Sequence, residues 1–222
     1  MICVPVMQRL ECQRRRPDGA FQAISSSTIS SYGNQRFTTR LVIVAFDFFT
    51  VPTLTFQLLY CFFVIEHGRR RILHCNVTRH PTADWVVQQL REAFPEASPY
   101  RYVILDHDSK FDADVTAFLQ ATGLEPKRTS VQAPWQNGIA ERWVGSVRRE
   151  ILDHVIAWNE QHLRRLIRDY VSYHHDDRVP DSLEKDTPNR RPVEQKPTPQ
   201  ATVISHPRLG GLHHRYTWRE AA

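Results

Sequence analysis

The sequence holds no hydrophobic run long enough to cross a bilayer. The longest, Phe56 to Ile65, spans ten residues and includes Gln57, whereas a membrane helix needs about 20. The apolar start, Met1 to Met7, is followed by no further apolar region of adequate length, so no signal peptide is read there. Cysteine is scarce. The four residues Cys3, Cys12, Cys61 and Cys75 form no C-x-x-C pair, which argues against a structural zinc site and a disulfide-stapled scaffold. They are read as reduced thiols of an intracellular, cytoplasmic protein. Neither sign of charge dominates: 29 Lys and Arg face 24 Asp and Glu, a net of +5. That balance leans towards a polyanionic partner and equally suits a solvated basic surface.

What is present is a foldable chain. Its 222 residues are 41% hydrophobic, enough for one sizeable core plus extensions. Residues 1–38 read as a flexible leader of unclear origin, with the turn-prone Arg14-Arg15-Arg16-Pro17-Asp18-Gly19 and the polar run Ser25 to Ser31. Apolar runs at Leu41 to Phe49 and Leu58 to Ile65, then Arg71 to Val77 after the turn at Gly68, predict three strands with a hairpin. A helix starts after Pro81 and ends before Pro95. Tyr102 to Leu105 predicts a short strand, Asp112 to Ala121 a helix closed by Gly123, and Leu124 to Thr129 a last strand. A longer helix follows from Asn137 to about His154, then an amphipathic helix over Leu163 to His174. Residues 178–200 carry five prolines and many charges and read as an extended linker. Residues 209–218 suggest a small hairpin. The order predicts an α/β fold with a sheet of mixed direction covered by helices.

Three acids stand at informative places. Asp47 interrupts a hydrophobic strand, between Ala45-Phe46 and Phe48-Phe49, where an acid is costly if the strand is central. Asp106 stands where another strand ends, a position that also suits a turn or a helix cap. Glu141 lies on the helix after Pro134, where most glutamates are simply solvated. If the two strands are neighbours, all three converge at one sheet edge. Converging carboxylates repel one another, and divalent cations neutralise the cluster. Oxygen donors select Mg²⁺ or Mn²⁺ over zinc.

These segments carry a resemblance. Val44-Ala45-Phe46-Asp47-Phe48-Phe49, Asp106-His107-Asp108-Ser109-Lys110-Phe111 and Pro134-Trp135-Gln136-Asn137-Gly138-Ile139-Ala140-Glu141-Arg142 resemble the three acidic motifs of the integrase core. That core occurs in retroviral integrases and bacterial insertion-sequence transposases. The spacing of the last two acids, 141 − 106 = 35, is that of the family's D-35-E pattern, and Tyr173 to Arg178 resembles the segment that ends many transposase cores. Asp108 stands where the family often has glycine and offers a competing carboxylate. Residues 1–38 show neither a zinc-binding pattern nor a helix-turn-helix of the kind many relatives carry. The resemblance covers about 40–183. It implies a ribonuclease H-like core at 39–177, a mixed five-stranded sheet flanked by helices, between disordered or irregular extensions at 1–38 and 178–222. It further implies DNA integration or transposition by strand cleavage and strand transfer. Asp47, Asp106 and Glu141 would be catalytic and would hold two Mg²⁺ or Mn²⁺ ions, in a homo-oligomer on DNA, in a bacterial, nucleoid-associated setting. Other readings are a hydrolytic nuclease on the same fold and a truncated, non-catalytic DNA-binding remnant of a mobile element.

On the Glu141 helix, Ile139, Trp143, Val147 and Ile151 recur every four residues, a core stripe. Glu141, Arg142, Arg148 and Arg149 must lie largely elsewhere. Arg148, two turns beyond Glu141, is either a phosphate contact or part of a solvated basic face. Asn137 and Gly138 at the helix start either donate to a phosphate or merely cap the helix. Lys110, Lys127 and Arg128 are further phosphate candidates. Trp85, Trp143 and Trp158 read as core. The pairs His174-His175 and His213-His214 lack nearby cysteines and are not read as metal ligands.

Overall fold

A computed structural model describes residues 42–95, 98–106, 110–130 and 134–220. The leader 1–38, Cys3, Cys12 and Asp108 lie outside the described residues. Five strands build one sheet: β1 (Ile43–Pro52), β2 (Leu58–Glu66), β3 (Ile72–Thr78), β4 (Tyr102–Leu105) and β5 (Glu125–Arg128), in the order β3-β2-β1-β4-β5. β1, β2 and β3 run antiparallel, whereas β4 and β5 add parallel to β1. The expected mixed five-stranded sheet is therefore present.

Both faces of β1 and β2 are buried, which is why their sequences read as continuous apolar runs. Val44, Phe46, Phe62 and Val64 pack beneath α1 (Ala83–Ala93) and α2 (Ala113–Ala121) with Val86, Leu90, Val115 and Leu119. Ala45, Phe49, Cys61 and Phe63 face α3 (Gly138–Val147) and α4 (Glu160–Asp176) with Trp143, Val147, Leu163, Ile167 and Tyr170. The rings of Phe63 and Trp143 stand 4.3 Å apart between centroids.

Local chemistry sets the helix boundaries. Thr82 accepts from Trp85 N at α1, Asp112 from Asp114 N and Val115 N at α2, and Asn159 from His162 N at α4. α2 stops at Thr122 and Gly123, whose φ of +79° suits glycine. The helix expected from Asn137 to about His154 is α-helical only to Val147. It continues as one π-helical turn, Arg148–Leu152. The last helix is longer than the Leu163 to His174 stripe because Asn159 caps it a turn earlier. After it, the 178–200 stretch has only a short 3₁₀ turn, Asp181–Leu183, and is tied to the core by Arg69 to Asp186 and Arg191 to Asp177. The terminal hairpin has its turn where the sequence suggested strands. Its strands are β6 (Thr202–Arg208) and β7 (His213–Arg219), with Leu209–Gly211 between them. Trp143 is core and Trp85 partly so, but Trp158 is 67% exposed. It stands in the connection between the π-turn and α4, outside both helices.

Candidate active site

β4 pairs with only the first residues of β1, the last pair being Ala45 with Ile104. Two residues beyond that pair stand Asp47 and Asp106, so the parallel register brings both acids to the carboxyl end of neighbouring strands. This is where open α/β sheets hold their ligands. Past that point β1 runs on without β4 beside it. A cleft of about 490 Å³ opens there, lined by Asp47, Phe48, Thr50, Tyr60, Lys110, Glu141 and Arg148, among others.

Asp47 is half-buried on the face of β1 that looks towards α3, and its Oδ1 accepts from Phe48 N at 2.7 Å. Glu141 is exposed in the first turn of α3, where the helix dipole favours a carboxylate. The core stripe of α3 determines which side Glu141 can occupy: Ala140, Trp143 and Val147 turn inward. Asp106 is exposed at the end of β4 and takes a 2.8 Å hydrogen bond from Thr129 Oγ1. Among the described residues, no group of three His, Cys, Asp or Glu side chains is gathered closely enough to hold a metal ion. The structure thus unites Asp47 and Glu141 in one cleft and sets Asp106 at the end of the adjacent strand.

The basic candidates divide. Lys110 and Arg148 line the cleft. Lys110 Nζ lies over the rings of Phe48 (5.7 Å) and Tyr60 (5.5 Å). Arg148 donates to Thr50 O at 3.3 Å. Arg142 instead borders a separate small cavity near Arg70 and Arg178, and Arg149 is exposed on the π-turn. Lys127 pairs with Glu125, and Arg128 donates to Phe111 O. Asn137 precedes α3 without a side-chain cap. Its amide is 4% exposed, with both polar atoms lacking a hydrogen-bond partner. The simple-cap reading fails there, and a buried amide with two unmet bonds calls for a partner. Gly138 opens the helix, with open space where a Cβ would stand.

Two residues escaped sequence reasoning. Tyr60 faces Thr50 across the β1–β2 ladder and so enters the cleft. Only the hairpin register gives its position. Thr129 holds Asp106 because β5 pairs parallel with β4, ending at Leu105 with Arg128. A threonine after a short strand carries no such signal by itself. The paired histidines have structural partners. His174 Nε2 lies 3.0 Å from Arg70 O, and His175 Nε2 accepts from Ile72 N at 2.8 Å.

The donor set of Asp47, Asp106 and Glu141 is all carboxylate oxygen, the chemistry that hard divalent cations select. No helix among the described residues is long and apolar enough to cross a membrane.

Comparison with known proteins agrees with this architecture. No curated protein matches the chain. Among solved structures, a chain of a simian T-cell lymphotropic virus intasome, in complex with a PP2A regulatory subunit, superposes with a TM-score of 0.57. It is 12% identical, over 81% of this chain and 67% of that one. The catalytic core of HTLV-2 integrase in complex with magnesium, in a dimeric form, gives 0.54 at 10% identity, over 68% and 95%. The bovine counterpart, the BIV integrase catalytic core, gives 0.51 at 12%, over 67% and 91%. These likenesses show the fold alone, the ribonuclease H-like fold shared with integrase catalytic cores. The solved relatives are viral and lend no support to the bacterial, nucleoid-associated setting that the resemblance implied. The family model described as "Integrase core domain" matches residues 122–188, which include Glu141, α3 and α4. That match covers a part of the chain, and it falls within the same fold.

Proposed function

We propose that the chain is the catalytic core of a DNA integration or transposition enzyme that cuts DNA strands and transfers them. The observation that carries this reading is the cleft at the open edge of β1. There Asp47 and Glu141 meet Lys110 and Arg148, with Asp106 at the end of the adjacent parallel strand. Acids and basic side chains lining one cleft suit a phosphodiester, whose backbone charge the basic groups attract and whose reacting oxygens would lie among the acids.

Asp47, Asp106 and Glu141 would hold two Mg²⁺ or Mn²⁺ ions. When bound, such ions supply positive charge to the attacking and leaving oxygens of the phosphodiester. The chain's own residues bind and orient. Lys110 and Arg148 fix the strand by its phosphates, and the backbone N–H groups at the start of α3, beside Asn137 and Gly138, offer donors to another. Phosphate contacts set register and bring little sequence information. Thr129 holds the Asp106 carboxylate at the end of β4 by its hydroxyl. The nucleophile is water in cleavage and a 3′-hydroxyl in transfer, in line with the leaving oxygen, and no residue becomes covalently attached. The neighbours described as an intasome and as dimeric and trimeric cores support a homo-oligomer on DNA.

Glu141→Gln tests the reading. The amide cannot supply an anionic ligand, so cleavage and joining of DNA ends should fall by more than the roughly 10–100-fold typical of changes around a metal's ligands. Unchanged activity in this variant would sink the catalytic assignment. With the parent protein, nicks without joined products would instead identify a hydrolytic nuclease.

A further inference from the structure

Outside the cleft, the strongest unassigned chemistry is a pair of thiols. Cys61 on β2 and Cys75 on β3 sit on the same sheet face as diagonal neighbours. Cys61 stands opposite Val77, and Cys75 opposite Phe63. Their sulfurs are 3.5 Å apart. Cys61 is fully buried, and burial pushes its thiol up from the ordinary value, with Cys75 beside it adding to the rise. Cys75 is half-buried and lines a second cleft, of about 470 Å³, between the outer strand β3 and α4. Arg164 and Arg168 line that cleft, one turn apart on α4.

We propose that Cys61 and Cys75 form a thiol–disulfide exchange site for small anionic disulfides of the glutathione type. Cys75 is the attacking sulfur and Cys61 the resolving one. The order follows from access, since only Cys75 borders the cleft. The ligand class follows from Arg168, whose guanidinium suits the carboxylates of such a disulfide; Arg164, one turn earlier, is held in place by Val77 O and Glu160 Oε1 and adds positive charge to the same wall. In the first step Cys75, having lost its proton, attacks one sulfur of the small disulfide. The other half leaves as a thiolate, and a mixed disulfide remains on Cys75. In the second step Cys61 gives up its proton and attacks the Cys75 sulfur. The Cys61–Cys75 bond forms, and the second small thiol leaves. Two protein thiols are oxidised, and one small disulfide is reduced to two thiols. Closing the bond brings the sulfurs from 3.5 Å to about 2.05 Å. β3 is the outermost strand, and its ladder to β2 is already irregular at Val64 and Ile65, so it can absorb the shift.

The test uses the full chain with Cys3→Ser and Cys12→Ser, leaving the pair as its only thiols. It is incubated with oxidised glutathione, and peptides are mapped by mass without reduction. The expected product is a peptide pair joined through Cys61 and Cys75. With Cys61→Ala the reaction should stop at one glutathione on Cys75, and with Cys75→Ala no glutathione should be taken up. A thermal melt of each variant, matched to the parent, confirms that the labelled species is folded. Glutathione on Cys61 in folded Cys75→Ala overturns the proposal. So does a folded parent that gains neither the joined peptides nor an adduct on Cys75.

Discussion

A strand core tolerates an acid such as Asp47 only because β4 stops short. Its carboxylate then lines the open cleft on the α3 face of the sheet and is not sealed into the core. The same opening admits Arg148, whose contact with Thr50 O holds it beside the cleft. If Arg148 neutralises one DNA phosphate, Arg148→Ala should reduce the steepness of the salt dependence of DNA binding by about 0.9 in log–log slope. The loss should be alike for all sequences, because a phosphate contact reads none. Binding isotherms across a salt series decide this, and an unchanged slope places Arg148 outside the interface. Tyr60 acts at one remove. Its ring, with that of Phe48, carries the Lys110 ammonium. A half-exposed cation–π contact contributes about 0.5–1 kcal/mol, so Tyr60→Ala should weaken DNA binding about two- to fivefold. Tyr60→Phe, which keeps the ring, should bind as the parent does. Equal loss in both variants would assign the effect to the hydroxyl and not to the held lysine.

At the scale of elements, α3 and α4 are joined by buried polar contacts as well as by apolar packing. Arg178 grips Glu150 on the π-turn with three hydrogen bonds of 2.8–3.0 Å, and Tyr170 Oη donates to the same carboxylate. Burial alone would raise the Glu150 carboxyl. Arg178 outweighs it and holds the group below its ordinary range. Burial also pushes His174 down, from 6.5 to about 4, and pushes His175 down as well. The unfolded chain therefore takes up protons at these histidines before the folded one does. Stability is full above pH 6.5 and is lost as pH falls towards 4, with Glu150 adding to the loss below about 4.5. His174 alone should lower stability by about 2–3 kcal/mol between pH 7.5 and 4.5. Urea midpoints at the two values measure it. In His174→Gln most of that drop should vanish, and an equally steep drop there refutes the assignment. None of this was legible in the sequence, where His174-His175 was only a tempting pair. Strands, helices and the α3 stripe were legible, because burial on both faces of β1 and a four-residue recurrence on α3 leave direct marks. The acids could be named as candidates through their motifs. What escaped was set by pairing across distant segments: the Tyr60 register, the Thr129 contact with Asp106, the π-turn after Val147 and the exposure of Trp158. A chain position says little about any of these until its neighbours are known.

At the scale of the whole core, the carboxyl-terminal hairpin is bound to the element that ends the core motif. Asp177, at the end of α4, has a side chain 2% exposed. It is met by Arg208 at 2.9 Å, Arg191 at 3.2 Å and Arg215 at 3.7 Å. Arg208 also donates to Ser172 Oγ. His213 stacks on Tyr173 with centroids 4.7 Å apart, and its Nε2 lies 3.2 Å from Glu150 O on the π-turn. One carboxylate thus holds three guanidinium groups that would otherwise repel one another, and β6–β7 stays against α4. Asp177→Asn keeps the shape and removes the charge. Stripping one partner from a fully buried pair costs about 3–5 kcal/mol. These arginines are about one-third exposed, so solvent screening reduces the expected loss to about 2 kcal/mol. The hairpin should loosen first, since its hold on the core depends on that ion cluster more than on buried apolar surface. Protease should then cut near residues 195–201 faster in Asp177→Asn than in the parent, while the 42–176 region stays resistant. If cutting is unchanged and the urea midpoint moves by less than about 0.5 kcal/mol, an amount ordinary for a surface change, the hairpin is held by something other than Asp177.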